Sequence, residues 1–553
     1  VLGKGCKVGR QYYRFERAED GSFTAVGGSG LGHSFGAVGG SGLGVFGNSY
    51  QGAAVNRRET NTWNPSITDA DSASVPDLPR LRARSRDAVR NQPLAGGVIG
   101  TTVTNVVGSG LVPQPTIDHE YLGLTPEEAD AWQTHTSREF ALWAESKNAS
   151  LNRALDFYGL QDLAFRSCME NGDVFANTPR KTVKGWPYRL RIQLIEADRV
   201  CNPNFGFDQP RLVAGVEKDE DGAPIAYNVL RQHPGNWLYV TGKSWTWDRL
   251  EAVNAATGFF NVVHLFRVLR TDQTRGIPML APVIEPLKML GRYQEHVLMA
   301  AAVSALFTVF VKSQGAQGIQ NMSHAPGPQV VTQQYPVAAA AGNDLRLGSG
   351  NVLELMPGEE VEFAEPKQPG NQFDPFFLAI VRQIGVALEI PFEILIKHYT
   401  ASYSAARAAM LDAWKFFLAR RNWLSDNFCQ PLYEIWLAEA VALGRILAPG
   451  FFADPMVRKA YSGALWNGPG KGMINEKEES LAMEKRIELG VTTAEEETQA
   501  YNGTSWAAKQ SRRVKERKMR DEAGLPIPGS QPKETIPAQP ELTDGGGSNK
   551  EAA

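Results

Sequence analysis

The sequence predicts an α+β protein made of several lobes: a mixed-sheet lobe, long helices beside it, a small irregular insert held between two of those helices, and a charged helical C-terminal region. Three observations predict this. Segments 283–312, 374–390 and 404–444 place apolar residues at helical spacing. Between residues 161 and 270 the pattern shifts to alternation and β-branched runs separated by turn clusters. The chain has 553 residues, too many for one ordinary core, so it must divide into lobes.

Composition narrows the function classes. At 42% hydrophobic and 21% charged, the chain has an ordinary soluble makeup. A net charge of −3 provides no global basic field of the kind that marks a strong nucleic-acid binder. Cys6, Cys168, Cys201 and Cys429 are far apart and fit no CxxC or zinc spacing, which points to free thiols in a reducing cytoplasmic compartment. The chain begins with Val1 rather than methionine, consistent with a trimmed or incomplete start, and no signal-peptide pattern is visible.

Taken in order, residues 1–55 read as a flexible glycine-rich arm with a direct repeat, AVGGSGLG, at 25–32 and 37–44. Such sequence buries too little apolar surface to offset its ordering entropy. Residues 56–160 read as partly helical. Thr125, Pro126 and Glu128 form a capping box that starts a helix through Trp132, Phe140 and Trp143, aromatics expected in the core. In the sheet lobe, AFRSCMENGDVFANT, YRLRIQLIEADRV, IAYNVLRQ and NVVHLFRVL read as strands, with turns at 170–173 and 219–222. Glu196 and Asp198, just before Arg199, have no nucleophile or histidine near them in sequence; ion pairing at a turn is the expectation rather than acid–base chemistry.

A long helix is expected over 283–312, with Pro286 tolerated in its first turn. Its apolar run, Val297–Val311, is shorter than the roughly 20 residues a membrane span needs. A helix apolar nearly all round must be covered on several sides. Neighbouring copies of the chain would supply that cover, with Leu298, Phe307, Phe310, Phe376 and Trp414 as candidate packing residues. Residues 313–366 are loop-rich, with short strands expected around NVLELM and VEFAEP. Asp374–Pro375 reads as the start of the next helix and Ile390–Pro391 as its end.

A polar and aromatic loop follows, carrying Lys397, His398, Tyr399 and Thr400; Ser402 or Ser404 is placed to cap the next helix. Met410, Trp414, Phe417, Leu424 and Phe428 then form an apolar stripe that Arg421 interrupts, and Pro431 should kink the helix. Residues 470–522 read as charged helices, and 523–553 as disordered.

No catalytic constellation holds. GPGKG at 468–472 lacks the glycine spacing and the Ser or Thr of a phosphate loop. There is no HExxH, no GxSxG and no EF-hand spacing, so no metal or cofactor is expected.

Four segments carry a family resemblance: 370–428, and with it RLRARSRDAVRNQPLAGGVIGTTVTNVVGSGLVPQP (80–115), IQLIEADRVCNP (192–203) and HLFRVLRTDQTRGIPMLAPVIEPLKMLGRYQ (264–294). From about Asn56 to about Gly468 the chain resembles the lambda-type portal proteins of tailed bacteriophages. The resemblance implies a ring, typically of twelve copies, at one capsid vertex, through which double-stranded DNA passes non-specifically. It implies a wing (56–160 and 161–282), two stem helices (283–312 and 371–392) around a channel, and a clip (313–366). It further implies a channel loop (393–404), a kinked helix and wing return (405–469) and a crown (470–522). Lys397, His398, Tyr399, Thr400, Ser402, Tyr403 and Arg407 would then face DNA. The implied partners are the terminase large subunit, which supplies ATP hydrolysis, a head-completion or adaptor protein, and the major capsid or scaffold protein. No membrane is implied. The location would be the virion, and the host cytoplasm during assembly. Two other classes compete: an enzyme of the packaging motor, which the missing phosphate and metal patterns disfavour, and another capsid-associated protein such as a scaffold or minor head component.

Overall fold

The computed structural model describes residues 57–236, 245–306, 310–313, 359–362, 373–398, 402–472 and 475–525, together with Ala53 and three strands before residue 27. The expectations for Phe307, Tyr399, Thr400, most of the glycine repeat, NVLELM and the C-terminal tail lie outside these residues. The chain divides into two units, Val1–Thr68 and Asp69–Ala553.

In the first unit, β1 (Cys6–Val8), β2 (Gln11–Arg17) and β3 (Phe23–Val26) form an antiparallel sheet in that order. Residues 1–55 were expected to form a flexible arm, and no strands were expected within it. Tyr12, Tyr13 and Phe15 favour a pleated strand, and the first glycine repeat begins inside β3 at Ala25 and Val26.

The second unit opens with α1 (Ala70–Ser74), α2 (Leu78–Asn91) and α3 (Pro93–Val106). A Cβ on Gly96 would sit 2.9 Å from the Val89 carbonyl oxygen, so glycine permits the close crossing of α2 and α3. Then come β4 (Val112–Pro115), α4 (His119–Leu122) and α5 (Pro126–Ala144). The capping box forms as read: Thr125 Oγ1 accepts from the Glu128 amide at 3.2 Å, and Glu128 Oε2 accepts from the Thr125 amide at 2.9 Å.

α6 (Phe157–Asn171) corrects one expectation, because AFRSCMEN is helix and not strand. The Asp156 carboxylate caps it, accepting from the Gly159 amide at 2.7 Å, and Gly172 ends it at φ +94°. Leu160, Ala164, Phe165, Cys168 and Met169 lie on the buried face, a helical spacing that outweighs the apparent alternation.

The strands β5 (Asp173–Asn177), β6 (Gln193–Glu196), β7 (Leu212–Val213), β8 (Val216–Lys218), β9 (Pro224–Leu230), β10 (Trp247–Glu251) and β11 (Val262–Phe266) make two sheets, ordered β11-β5-β6 and β10-β9-β8-β7. The expected mixed sheet is corrected: every described strand pair is antiparallel. Several connections here are tight hairpins, which cannot join parallel strands. Phe175, Ile195, Val216, Tyr227 and Val262 bury a small core of their own.

α7 (Ile284–Leu306) is followed by β12 (Phe310–Ser313), which pairs with β13 (Glu359–Glu362). The helix expected to reach 312 is described as far as Leu306, and Phe310–Ser313, where it was expected to continue, is strand, in keeping with the aromatic and β-branched Phe310 and Val311. α8 (Phe373–Ala387) lies against α7, with Tyr293 stacked on Phe373 at 5.5 Å and edge-on to Phe376 at 5.1 Å.

After the short α9 (Phe392–Ile396), α10 (Tyr403–Leu424) runs through a π turn at Ser425–Cys429 into α11 (Gln430–Ala442). Pro431 lies two residues after the π turn and lacks an amide proton, so it cannot donate to the preceding turn; the helix meets the proline with a π turn and continues past it. Next come α12 (Pro455–Tyr461) and β14 (Ala464–Asn467), which pairs with β4 across some 350 residues of chain. Finally α13 (Glu476–Glu488), α14 (Ala494–Asn502) and α15 (Trp506–Glu522) form the charged C-terminal helices.

The main core is aromatic. Phe140 meets Trp436 edge-on at 4.9 Å and Phe157 at 5.6 Å, and Trp143 is fully buried beside them. Trp132 packs on Tyr461 and donates its indole N–H to the Leu447 carbonyl, so all three α5 aromatics serve packing.

Candidate functional site

The polar loop after α8 is built by two left-handed turns, at Glu389 and Lys397, with a short helix between them. α8 ends where Glu389 turns left-handed at φ +59°; the Ile390 amide donates back to Gly385 O at 3.0 Å and the Glu389 amide to Val386 O. A side chain at Gly385 would crowd that returning backbone, since its Cβ would lie 2.9 Å from Ile390 O. Pro391 then sets off α9, and Lys397 ends it, also left-handed at φ +54°. The amides of Lys397 and His398 both donate to Glu393 O. The loop expected to start at 393 thus begins as a helical turn.

Lys397 and His398 are exposed. Lys397 closes the helix with its backbone, while its side chain lines a cavity of about 470 Å³. Ser402 occupies the N-cap position of α10, but its hydroxyl bonds to Ser404 Oγ at 3.1 Å rather than to the helix amides. Tyr403 is the first residue of α10 and Arg407, one turn on, is half-buried.

Lys471 is the residue that linear reading missed. It shares the first cavity with Lys397 and Trp414, and it shares a second cavity, of about 460 Å³, with Arg407, Glu478 and Glu479. Among the described residues, none of Lys397, Arg407 and Lys471 is within ion-pair distance of a carboxylate. The fold therefore gathers three cations, from α9, α10 and the GPGKG segment. Glu478, Glu479 and Glu497 line the second cavity with Arg407 and Lys471, beyond ion-pair distance of both. Sequence reading sets aside the GPGKG segment that holds Lys471 because it fails the phosphate-loop pattern, and two of its glycines, Gly468 and Gly470, serve close packing. A Cβ on Gly468 would strike Arg421 and Leu111, one on Gly470 would lie 2.3 Å from Tyr501 O, and one on Gly503 would lie 1.9 Å from Gly468 O.

Arg421, the charge that interrupts the apolar stripe, supports this site from below. It is buried and stacked on Trp414 at 5.1 Å, and it donates to Val106 O, Asn105 O and Pro469 O at 3.1, 2.9 and 2.8 Å. It thereby satisfies the last carbonyls of α3, where the helix dipole favours a cation. Burial lowers its pKa to about 10. Of the candidate packing residues, Trp414 thus packs within its own chain, whereas Leu298 and Phe376 are 71% and 50% exposed. Phe310 lies in β12.

A second constellation holds the sheet lobe to α2. Asp173 is fully buried and accepts from Arg275 Nε at 2.6 Å, Arg82 Nη2 at 3.0 Å and the Gly276 amide at 3.2 Å; His264 Nε2 is 3.4 Å away. Burial pushes its carboxyl up, but the charges of Arg275 and Arg82 outweigh burial and hold it well below the usual carboxylate range. Asp198 pairs with Arg82 and Arg86, and Arg199 donates to the Leu230 and Arg231 carbonyls. Glu196 pairs with Arg86 at 3.4 Å, so both carboxylates are ion-pairing groups at a turn, as expected; the fold also brings His233, distant in sequence, to 3.5 Å from each. Among the described residues no cluster of side chains could hold a metal ion, and no helix is long and apolar enough to cross a membrane.

Comparison with known proteins adds the following. The family model for "Phage portal protein, lambda family" matches residues 56–421. Portal protein B of Escherichia phage lambda is 26% identical over 85% of this chain and 89% of its own length. The portal protein of Escherichia phage N15 is 26% identical over 84% of this chain and 89% of its own. Among solved structures, a chain in the neck of a native gene transfer agent particle aligns over 64% of this chain and 81% of its own, at 14% identity and a TM-score of 0.35.

Proposed function

The chain belongs to the lambda family of phage portal proteins, and from that premise we propose that it assembles as a closed ring of twelve copies, through which double-stranded DNA enters and leaves the capsid at one vertex. Its role is that of a portal protein, a virion component of a structural rather than enzymatic family. In this reading α7 and α8 are the stem, the two sheets with α2, α3, α5 and α6 are the wing, β12 and β13 belong to the clip, and α13–α15 form the crown. ATP hydrolysis belongs to a separate terminase, and the clip end receives terminase and then a head-completion protein. Capsid or scaffold protein surrounds the wing.

The observation that supports the ring is the exposed apolar surface of the stem hairpin among the described residues. Leu298, Met299, Phe376 and Val386 are between half and four-fifths exposed in the single chain. Covering four such side chains is worth about 1.5–3 kcal/mol each, enough to offset much of the cost of association. Lys397, His398, Tyr403 and Arg407 are assigned to the channel side, with Lys471 added to them. Three cations per copy give a weak, salt-sensitive hold on passing phosphates and no base readout, as a conduit requires.

The test is the assembly state of the purified chain, by light scattering and negative-stain imaging, with an ATPase assay alongside. Closed rings with a central hole and no nucleotide turnover are expected. A chain that stays monomeric under all assembly conditions, or that hydrolyses ATP unaided, refutes the proposal.

A further inference from the structure

Where the stem hairpin joins the wing there is a cavity of about 250 Å³ that packing leaves unfilled. Its walls come from every element of that joint: α3, α6, the connector 277–282 leading into α7, the end of α8, and α10. Most of the lining is apolar, with Phe165 and Met169 of α6 facing Phe416 and Trp423 of α10. An apolar cavity of about 150 Å³ is enough to hold benzene, so this one has room for a ring and a short chain.

Two guanidinium groups, Arg267 and Arg420, also line it, against a single carboxylate, Glu389. Arg420 is held by Glu389 at 3.3 Å and lies over the Phe416 ring at 4.8 Å. Glu389 is itself loosely placed, with 61% of its side chain exposed. Arg267 has no carboxylate within ion-pair distance among the described residues. Burial, and after it the charge of Arg267, lower the pKa of Arg420, so the two cations act on one another, with Glu389 opposing them from beside Arg420. The site is short of negative charge and short of apolar filling at the same place.

We propose that this cavity is a binding site for a small amphipathic anion, an aryl or short alkyl carboxylate, whose apolar end enters between α6 and α10 and whose carboxylate lies between Arg267 and Arg420. Because the cavity walls include the chain entering α7 and the chain leaving α8, an occupied site fixes the stem hairpin to the wing. Glu389 competes for one of the two guanidinium groups, that of Arg420. This inference rests on the geometry of one chain and does not depend on the ring.

The experiment titrates the full-length chain with 4-phenylbutyrate by calorimetry and follows its melting temperature. Saturable binding with a Kd of about 0.1 mM is expected, within the affinity range available to a ligand of this size. Ligand at 100 times its Kd should then raise stability measurably by mass action. Arg267→Gln should weaken binding about tenfold, and 4-phenylbutanol, the neutral analogue, should bind weakly to the same degree. Glu389→Gln should bind several-fold more tightly, an outcome that unfolding or general surface adsorption would not produce. Ala387→Phe, at an exposed position on the cavity rim, should abolish binding by filling the space. No saturation below about 10 mM overturns the proposal. Equal binding of the alcohol and the acid, or binding indifferent to Arg267→Gln and Ala387→Phe, overturns it as well.

Discussion

Replacing Asp173 with alanine removes the one carboxylate that, among the described residues, touches both Arg82 and Arg275. The consequences differ for the two arginines. Arg82 keeps Asn171 O at 2.9 Å and the Asp198 carboxylate at 3.4 Å. Arg275 keeps three carbonyl acceptors, on Val200, Ala214 and Ala197, but no negative charge, and it is 1% exposed. Breaking a buried pair by removing one partner costs about 3–5 kcal/mol, chiefly because the remaining charge is stranded. Asp173→Asn should cost nearly as much, since an amide keeps the shape but not the charge. Asp173→Ala combined with Arg275→Met should recover part of the loss, because removing both partners leaves no stranded ion. Urea denaturation of the three variants, read as the shift of the first unfolding midpoint, checks this. A cost below about 1 kcal/mol for Asp173→Ala, or an additive double variant, would show that the charges here are already compensated by the backbone and that the reasoning fails.

Four further outcomes are expected. His264 is buried beside Asp173, and burial lowers its pKa from the ordinary 6.5, so the unfolded chain takes up the proton first and stability drops as pH falls below that value; thermal melts across pH should show this slope, and His264→Phe, between Phe175 and Phe266, should flatten it. Asp173, with its folded pKa below the ordinary 3.8, contributes stability that is lost as pH falls from there towards the lower folded value, so Asp173→Asn should be less acid-sensitive in melts below pH 3.8. Arg421→Met leaves the buried Val106, Asn105 and Pro469 carbonyls without their donor and should cost about 3 kcal/mol in denaturation, with Arg421→Lys recovering only part. Gly503→Ala combines φ +71° with a Cβ 1.9 Å from a backbone oxygen; it should destabilise by at least about 2 kcal/mol and make α14 and α15 the first segment cut in limited proteolysis.

What was legible in the sequence was whatever has a local cause. The capping box at Thr125 and Glu128, the aromatic face of α5 and the disturbance at Pro431 each follow from residues within a few positions of one another. The strand reading of AFRSCMEN failed because eight residues of alternation cannot be told from one helical face without the cap at Asp156. Mixed pairing was expected of the sheet lobe, and only the hairpin turns make it antiparallel. The site was less legible than the fold. Arg421 looked like a break in an apolar stripe because its partners lie some 315 residues earlier, at the end of α3. Lys471 joins Lys397 and Arg407 only through the crossing of Gly468 and Gly503, which no spacing rule records.

The two kinds of charge in this chain have opposite placements, and that division constrains how the molecule works. Arg82, Arg275 and Arg421 are buried, and their donors are taken up by a carboxylate or by carbonyls contributed by distant segments. Such groups are expensive to expose and define one arrangement of α2, α3, the sheets and α10. Lys397, Arg407 and Lys471 line open cavities, and Lys397 sits on a left-handed turn, Arg407 one turn into a helix whose cap hydroxyl is otherwise engaged. A polyanion that approached the first set would find no donor to spare, and one that approached the second would find three cations that, among the described residues, no carboxylate holds within ion-pair distance, although Glu478, Glu479 and Glu497 line the same cavity. If the frame carries the first kind and the DNA-facing surface the second, substituting Lys397, Arg407 and Lys471 together by glutamine should leave the melting temperature nearly unchanged. The same substitution should lower the salt dependence of DNA retention by up to about 0.9 for each phosphate that is no longer neutralised. Filter retention of duplex DNA across a salt series, with thermal melts alongside, checks both; an unchanged salt slope, or a collapse of the melting temperature, would refute the division.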